Sequence, residues 1–130
     1  MNNLSTKIST TGAILMALSI ALGAFGAHGL ERMVNPQALD TFEVGVRYQV
    51  YHSLAIVVIG LSGRLSDSVK KRTFILWMLG VVLFSGSLYL LATSEVIGED
   101  LKFLGPVTPI GGLALIAGWG YLAFGLWKNR

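Results

Sequence analysis

The sequence predicts an all-α integral membrane protein in which four transmembrane helices form one bundle. Three observations carry this prediction: 53% of the 130 residues are hydrophobic, only 13% are charged, and long apolar runs recur four times. Soluble domains carry about 25% charged residues, so this chain has too few to cover a water-facing surface. Four spans of about 20 residues use most of the length. We therefore predict one membrane domain over residues 1–130 and no soluble catalytic domain.

The first predicted helix covers residues 8–30, and the second covers residues 36–63. The first run is long enough to span a bilayer, and only Lys7 flanks it, so we interpret it as a retained helix rather than a signal peptide. Asn35 is a favourable N-cap and Pro36 suits the first helical position, which marks the start of the second helix. The charged residues 64–72 are expected to end it.

The third predicted helix covers residues 74–93, and the fourth covers residues 109–127. Trp77, near the start of the third helix, is expected in the aromatic belt at the membrane interface. Thr108 and Pro109 repeat the pattern of a cap followed by proline and start the fourth helix. A transmembrane β-barrel is excluded because these runs are apolar on all sides rather than alternating.

Charged residues divide unequally between the two ends of such a bundle. One end receives seven basic residues and Asp67, a net charge of +6, and the other receives three basic and six acidic residues, a net charge of −3. The positive-inside rule then predicts that both termini face the cytoplasm. The formal charge of +3 is thus a topology signal, and we expect no nucleic-acid partner. The basic residues are Lys7, Arg64, Lys70, Lys71, Arg72, Lys128 and Arg130.

Polar residues inside the predicted spans form the one candidate site. By the rise of a helix they fall in the outer half of the bundle, opposite the basic end. Within the second helix, Glu43 lies four residues before Arg47, the favourable order for an ion pair, and Tyr48 and His52 lie on the next face. The candidate cluster comprises His28, Glu43, Arg47, Tyr48, His52, Ser85, Ser87 and Tyr89.

Two interpretations of this cluster stay open. Its members are either interhelical hydrogen bonds together with a neutralised ion pair, or a site for a ligand, ion or proton, because intramembrane ionisable groups are often functional. His28, His52 and Glu43 match no standard metal spacing and the chain has no cysteine, so we predict no metal and no cofactor. No catalytic residues are predicted.

Glycines are the second feature of the predicted spans. In lipid, small residues favour helix association because they let backbones approach closely. The series at positions 23, 26 and 29 is not a nucleotide-binding fingerprint, because no strand precedes it. The predicted helix-packing residues are Gly23, Gly26, Gly29, Gly86, Gly111 and Gly112.

Four ordered motifs resemble a known family. They are ALGAFGAHGL at 21–30, FEVGVRYQVYHSLA at 42–55, FSGSLYLL at 84–91 and TPIGGLALIAGW at 108–119. Together they look like the small YgdD/YwdK-type membrane proteins, an uncharacterised family of bacterial inner-membrane proteins with eukaryotic relatives. The resemblance implies a four-helix multi-pass protein of the plasma membrane, and it implies no activity and no catalytic residues.

These observations favour a non-enzymatic protein that acts in membrane or envelope integrity through lipids, a homo-oligomer or other membrane proteins. The alternative is a small oligomeric transporter or channel that uses the outer polar cluster. An enzyme acting on a lipid or quinone through His52 or Tyr48 is the weakest of the three hypotheses. Proton transfer needs partners within about 3 Å, and the spacing of residues along the sequence does not establish such a distance.

Overall fold

The computed structural model describes residues 1–128, so Arg130, assigned above to the basic end, lies outside the described part. Four α-helices account for most of that part: α1 (Asn3–His28), α2 (Pro36–Leu61), α3 (Asp67–Ile97) and α4 (Val107–Lys128). Short 3₁₀ turns, Leu30–Arg32 and Lys102–Leu104, lie in the two connections at the acidic end. All four helices are long and apolar enough to cross a membrane, and no strand occurs in this part of the chain. The predicted all-α class is confirmed.

Local signals explain most of the helix boundaries. The Asn35 side chain accepts a hydrogen bond from the backbone nitrogen of Ala38, 2.9 Å away, and Pro36 begins α2, as predicted. At α3 the cap is Ser66, so the helix takes in residues 67–73, which the charge pattern had assigned to a loop. This boundary was wrong because charged side chains at a membrane surface are compatible with a helical backbone.

Each helix lies against the helix before it in the chain. α1 packs on α2, α2 on α3 and α3 on α4, whereas no Cα atoms of α1 and α4 approach within 8 Å. The four-helix bundle is therefore arranged as a row, in which the first and last helices do not meet. α1 also touches α3, where the Lys70 amine donates to the Ser5 hydroxyl over 2.8 Å, near the basic end.

Two hydrophobic clusters hold the row together. The larger one lies toward the basic end and is centred on Trp77, whose side chain is fully buried. Trp77 was expected in an aromatic belt, and this prediction was wrong because α3 begins seven residues earlier and carries Trp77 about three turns inside. The smaller cluster joins Leu30, Phe42 and Ala92 near the acidic end.

Candidate functional site

Buried polar side chains lie on one face of α2. Gln49, His52 and Ser53 are each at most 5% exposed, and they recur at the three- and four-residue spacing that keeps side chains on one side of a helix. This face packs against both α1 and α3. The polar groups therefore lie between helices rather than toward lipid, where each unpaired group would be costly.

Gln49 joins three helices. Its amide nitrogen donates to the Leu15 carbonyl on α1 over 3.2 Å, and its amide oxygen accepts from the Tyr89 hydroxyl on α3 over 2.8 Å. The Gln49 carbonyl also accepts from Ser53 Oγ at 2.6 Å. One side chain thus gives α1 and α3 a shared polar anchor on α2.

His52 has a partner on each ring nitrogen. Nδ1 lies 2.7 Å from the Tyr48 carbonyl oxygen, which can only accept, so Nδ1 carries the proton. Nε2 then accepts from the indole nitrogen of Trp119 on α4 at 3.0 Å. The Trp77 ring packs edge-on against the same imidazole, with centroids 5.8 Å apart. This arrangement fixes a neutral imidazole and ties α4 to α2, although these two helices have no Cα atoms within 8 Å.

The serines of α3 make two further interhelical bonds. Ser85 donates to the Gly45 carbonyl on α2 at 2.7 Å. Ser87 shares a 2.6 Å hydrogen bond with the Thr108 hydroxyl on α4. Thr108 was expected to cap α4, but the helix begins one residue earlier, at Val107, so its hydroxyl is available to α3.

The charged members of the predicted cluster lie elsewhere. Glu43 and Arg47 are exposed, and the ion pair expected from their spacing is not formed. The four-residue spacing puts both residues on one face of α2 but does not by itself bring their charged groups together. His28 is exposed at the end of α1, and Tyr48 is 39% exposed with its ring 4.7 Å from Phe84. The structure therefore unites His52, Ser85, Ser87 and Tyr89 with the interhelical network and leaves the others outside it.

His52 is also placed differently from the expectation. It lies nearer the Leu61 end of α2 than the Pro36 end, beside Trp77 in the first half of α3. Ser85, Ser87 and Tyr89 lie in the second half of α3, on the acidic side as expected, so His52 is the exception. The estimate failed for His52 because position 52 lies past the midpoint of α2.

The predicted packing glycines separate into three groups. An added Cβ would meet the Phe84 backbone at Gly111 and the Phe42 ring at Gly26, 3.2 Å away. An added Cβ at Gly23 or Gly112 would make an ordinary van der Waals contact with another helix. In the third group no other helix is close: a Cβ at Gly29 would meet only Phe25, four residues earlier in the chain. Gly86 has no neighbour within 4 Å of such a Cβ, so it makes no close helix contact.

Several residues of the helix interfaces were missed by the sequence analysis. Gln49 carries the central polar contacts, and its position one turn before His52 in a predicted span was the available signal. Gly12 and Gly60 allow the closest approach of α1 and α2: a Cβ on Gly12 would lie 2.8 Å from the Val57 nitrogen. No pattern in α1 distinguishes Gly12 from its neighbours, because the helix is apolar on every side.

The chemistry of this region is that of a structural network. Within residues 1–128 no group of three or more His, Asp or Glu side chains is placed to hold a metal ion. A cavity of about 280 Å³ beside the network lies between α2 and α4, is lined chiefly by apolar and aromatic side chains, and opens on the surface of the molecule. The polar side chains of Gln49, His52, Ser85 and Tyr89 therefore bond to other parts of the protein.

Comparison with known proteins places the chain. Residues 22–112 match the family described as Protein of unknown function (DUF423). The chain belongs to this family. A UPF0382 membrane protein of Staphylococcus haemolyticus is 44% identical over 118 residues, covering 90% of this chain and 92% of the relative.

Two further relatives carry the names suggested by the sequence motifs. UPF0382 membrane protein YwdK of Bacillus subtilis is 39% identical, with 83% of this chain and 85% of YwdK covered. UPF0382 inner membrane protein YgdD of Escherichia coli is 36% identical, with 87% and 83% covered. No solved structure matches the chain significantly. This DUF423 protein is therefore a multi-pass protein of the plasma membrane, the inner membrane in bacteria, and its family has no established activity.

Proposed function

We propose that this DUF423 protein is non-enzymatic and supports the integrity of the membrane and envelope through lipids or membrane-protein partners. The observation that carries the proposal is the pairing within the interhelical network. Gln49 and His52 use their side-chain nitrogens and oxygens on other helices or on their own helix. Both side chains are at most 5% exposed, so their polar atoms are satisfied inside the protein and are not presented to a substrate or ion, as acid–base catalysis or ion coordination requires.

The packing of the basic half also supports a role without solute passage. Trp77, Ile56 and Ile59 fill the space between helices there and are at most 2% exposed. A pathway for ions or polar solutes would need polar groups through this layer. Many large apolar side chains are exposed on the outside of the row, as expected for contact with lipid or another membrane protein.

The orientation is part of the same proposal. One end of the four helices carries Lys7, residues 64–72 and Lys128, because successive helices run in opposite directions. We propose that this end faces the cytoplasm, because basic residues are retained on that side. Reporter fusions after Ser62 and after Gly98 should report cytoplasmic and outer locations respectively, and the reverse result would overturn the orientation.

A deletion strain tests the function. We expect loss of the protein to increase sensitivity to detergent and osmotic shock while uptake and efflux of ions and small solutes stay unchanged. Reintroducing the wild-type chain should restore resistance. Specific, saturable transport by the purified protein in liposomes would defeat the proposal, and it would favour a transporter if Arg47→Ala and His52→Ala abolished that transport.

A further inference from the structure

A lipid-facing groove runs between α1 and α3 at the basic end of the molecule. The two helices meet near their first turns, where Asn2 donates to the Asp67 carboxylate over 2.8 Å. Beyond this contact they diverge and leave a groove of about 540 Å³ between residues 4–11 and residues 71–75. This volume lies within the range of roughly 300–1,000 Å³ that is typical of small-molecule sites.

The floor of the groove is apolar. Leu4, Ile8, Phe74 and Ile75 line it, and the threonines beside them are largely self-satisfied. Thr11, for example, donates its hydroxyl to the carbonyl four residues back, 2.9 Å away. The threonine methyl groups are therefore free to contact an apolar ligand. No buried polar group among the residues that line the groove needs a polar ligand as its partner.

The mouth of the groove is basic. Lys7 and Lys71 both line it, both are exposed, and within residues 1–128 neither amine lies within 4 Å of a carboxylate. An adjoining cavity of about 390 Å³ shares Leu4, Lys71 and Ile75 with the groove and adds Asp67 and Arg72. Lys7, Lys71 and Arg72 together outnumber the Asp67 carboxylate, so the net charge at this mouth is positive.

We propose that this groove binds an anionic phospholipid, with the phosphate between Lys7 and Lys71 and one acyl chain along Leu4, Ile8 and Phe74. Two observations identify the ligand: unpaired amines that suit a phosphate, and an adjacent apolar floor that suits a hydrocarbon chain. The site also lies at the end of the spans, at the depth of the lipid headgroups. The inference deepens the proposed function by naming one of its partners.

Native mass spectrometry of the full chain, titrated with phosphatidylglycerol and in parallel with phosphatidylcholine, tests the site. We expect one phosphatidylglycerol to be retained more tightly than phosphatidylcholine. Lys7→Gln combined with Lys71→Gln should weaken it about 30-fold, since each lysine near an anionic lipid contributes roughly fivefold. Thr10→Trp, which fills the groove without changing charge, should also abolish the preferential binding.

Arg64→Gln combined with Lys128→Gln is the matched control. It removes two positive charges from the same end, but neither residue lines the groove. This variant should bind phosphatidylglycerol like the wild type, and helix content and thermal midpoint should be the same for all variants. Equal weakening in the control, or unchanged binding in Thr10→Trp, would overturn the site. A wild-type dimer that Thr10→Trp dissociates, with no lipid retained, would assign the groove to a second copy.

The lipid site and the proposed function can fail separately. Unchanged lipid affinity in the groove variants removes the site but leaves the envelope phenotype of a deletion strain as it was. Solute transport by the purified protein removes the proposed function but leaves the measured lipid affinity standing.

Discussion

The two long faces of α2 differ in almost every respect. One face carries Gln49, His52 and Gly60, all buried, and each touches another helix. The opposite face carries Glu43 and Arg47, both exposed and not paired with each other. The comparison teaches that hydrophilic character alone does not mark an important position in a membrane helix. What matters is whether the side chain faces protein.

The largest expected effect is a substitution at Gly60 on the buried face. A Cβ there would lie 2.8 Å from the Ser9 backbone nitrogen, so Gly60→Val forces α1 away from α2. Overpacking of this kind costs about 3 kcal/mol, and we expect a large drop in thermal midpoint and yield. Gly86→Val is the control, since nothing lies within 4 Å of its added Cβ. Equal losses in the two variants would contradict the close contact.

Gln49→Leu is expected to come next. It removes the bonds to Leu15 and Tyr89 together and leaves the half-buried Tyr89 hydroxyl without its acceptor. Interhelical hydrogen bonds in membranes average about 0.6 kcal/mol and reach about 1.7 kcal/mol, so the loss should be about 2 kcal/mol. Reversible unfolding in mixed micelles would measure it. Stability equal to wild type would show that the network is dispensable.

Tyr89→Phe should have a smaller effect than Gln49→Leu. It deletes one bond to Gln49 but keeps the aromatic contact with Phe42, whose ring centroid lies 4.9 Å away. We expect a loss of about 0.6 kcal/mol, the average for such a bond. Combining both substitutions should cost no more than Gln49→Leu alone, because the two residues share the contact. Additive losses in the double variant would argue that they act independently.

Glu43→Ala is expected to have the smallest effect. The spacing of Glu43 and Arg47 had predicted that removing the acid would harm folding, but the exposed side chains form no pair. Because Glu43 forms no ion pair, its removal leaves no buried partner without its counter-charge. The thermal midpoint should therefore match that of the wild type. A marked decrease would show that Glu43 and Arg47 do form an ion pair.

The sequence was sufficient for the number of helices, because each span must be long and apolar to satisfy its backbone in lipid. The capping pair Asn35 and Pro36 also placed one boundary correctly. The sequence was not sufficient to predict which face of each helix is buried. The spans are apolar all round, so hydrophobic periodicity, which identifies the buried side of a soluble helix, was absent.

The same limit explains the mixed outcome at the candidate site. Depth in the bundle grouped His52 with Glu43 and Arg47, although spacing placed it on the next face of α2, and only His52 turns toward neighbouring helices. Gln49 was not predicted as a site residue, because the prediction gave more weight to the charged Glu43 and Arg47 than to an uncharged amide. The contact of His52 with Trp119 joins positions 67 residues apart, which no local pattern can indicate.

The row arrangement has a consequence for how the protein is made. Since each helix rests mainly on the one synthesised just before it, every newly inserted span finds its docking surface already in the bilayer. Contacts between neighbours in the chain carry a small loop-closure cost and form quickly. Assembly can then proceed stepwise during translation. The final helix packs on α3, and this packing brings Trp119 within hydrogen-bonding distance of His52.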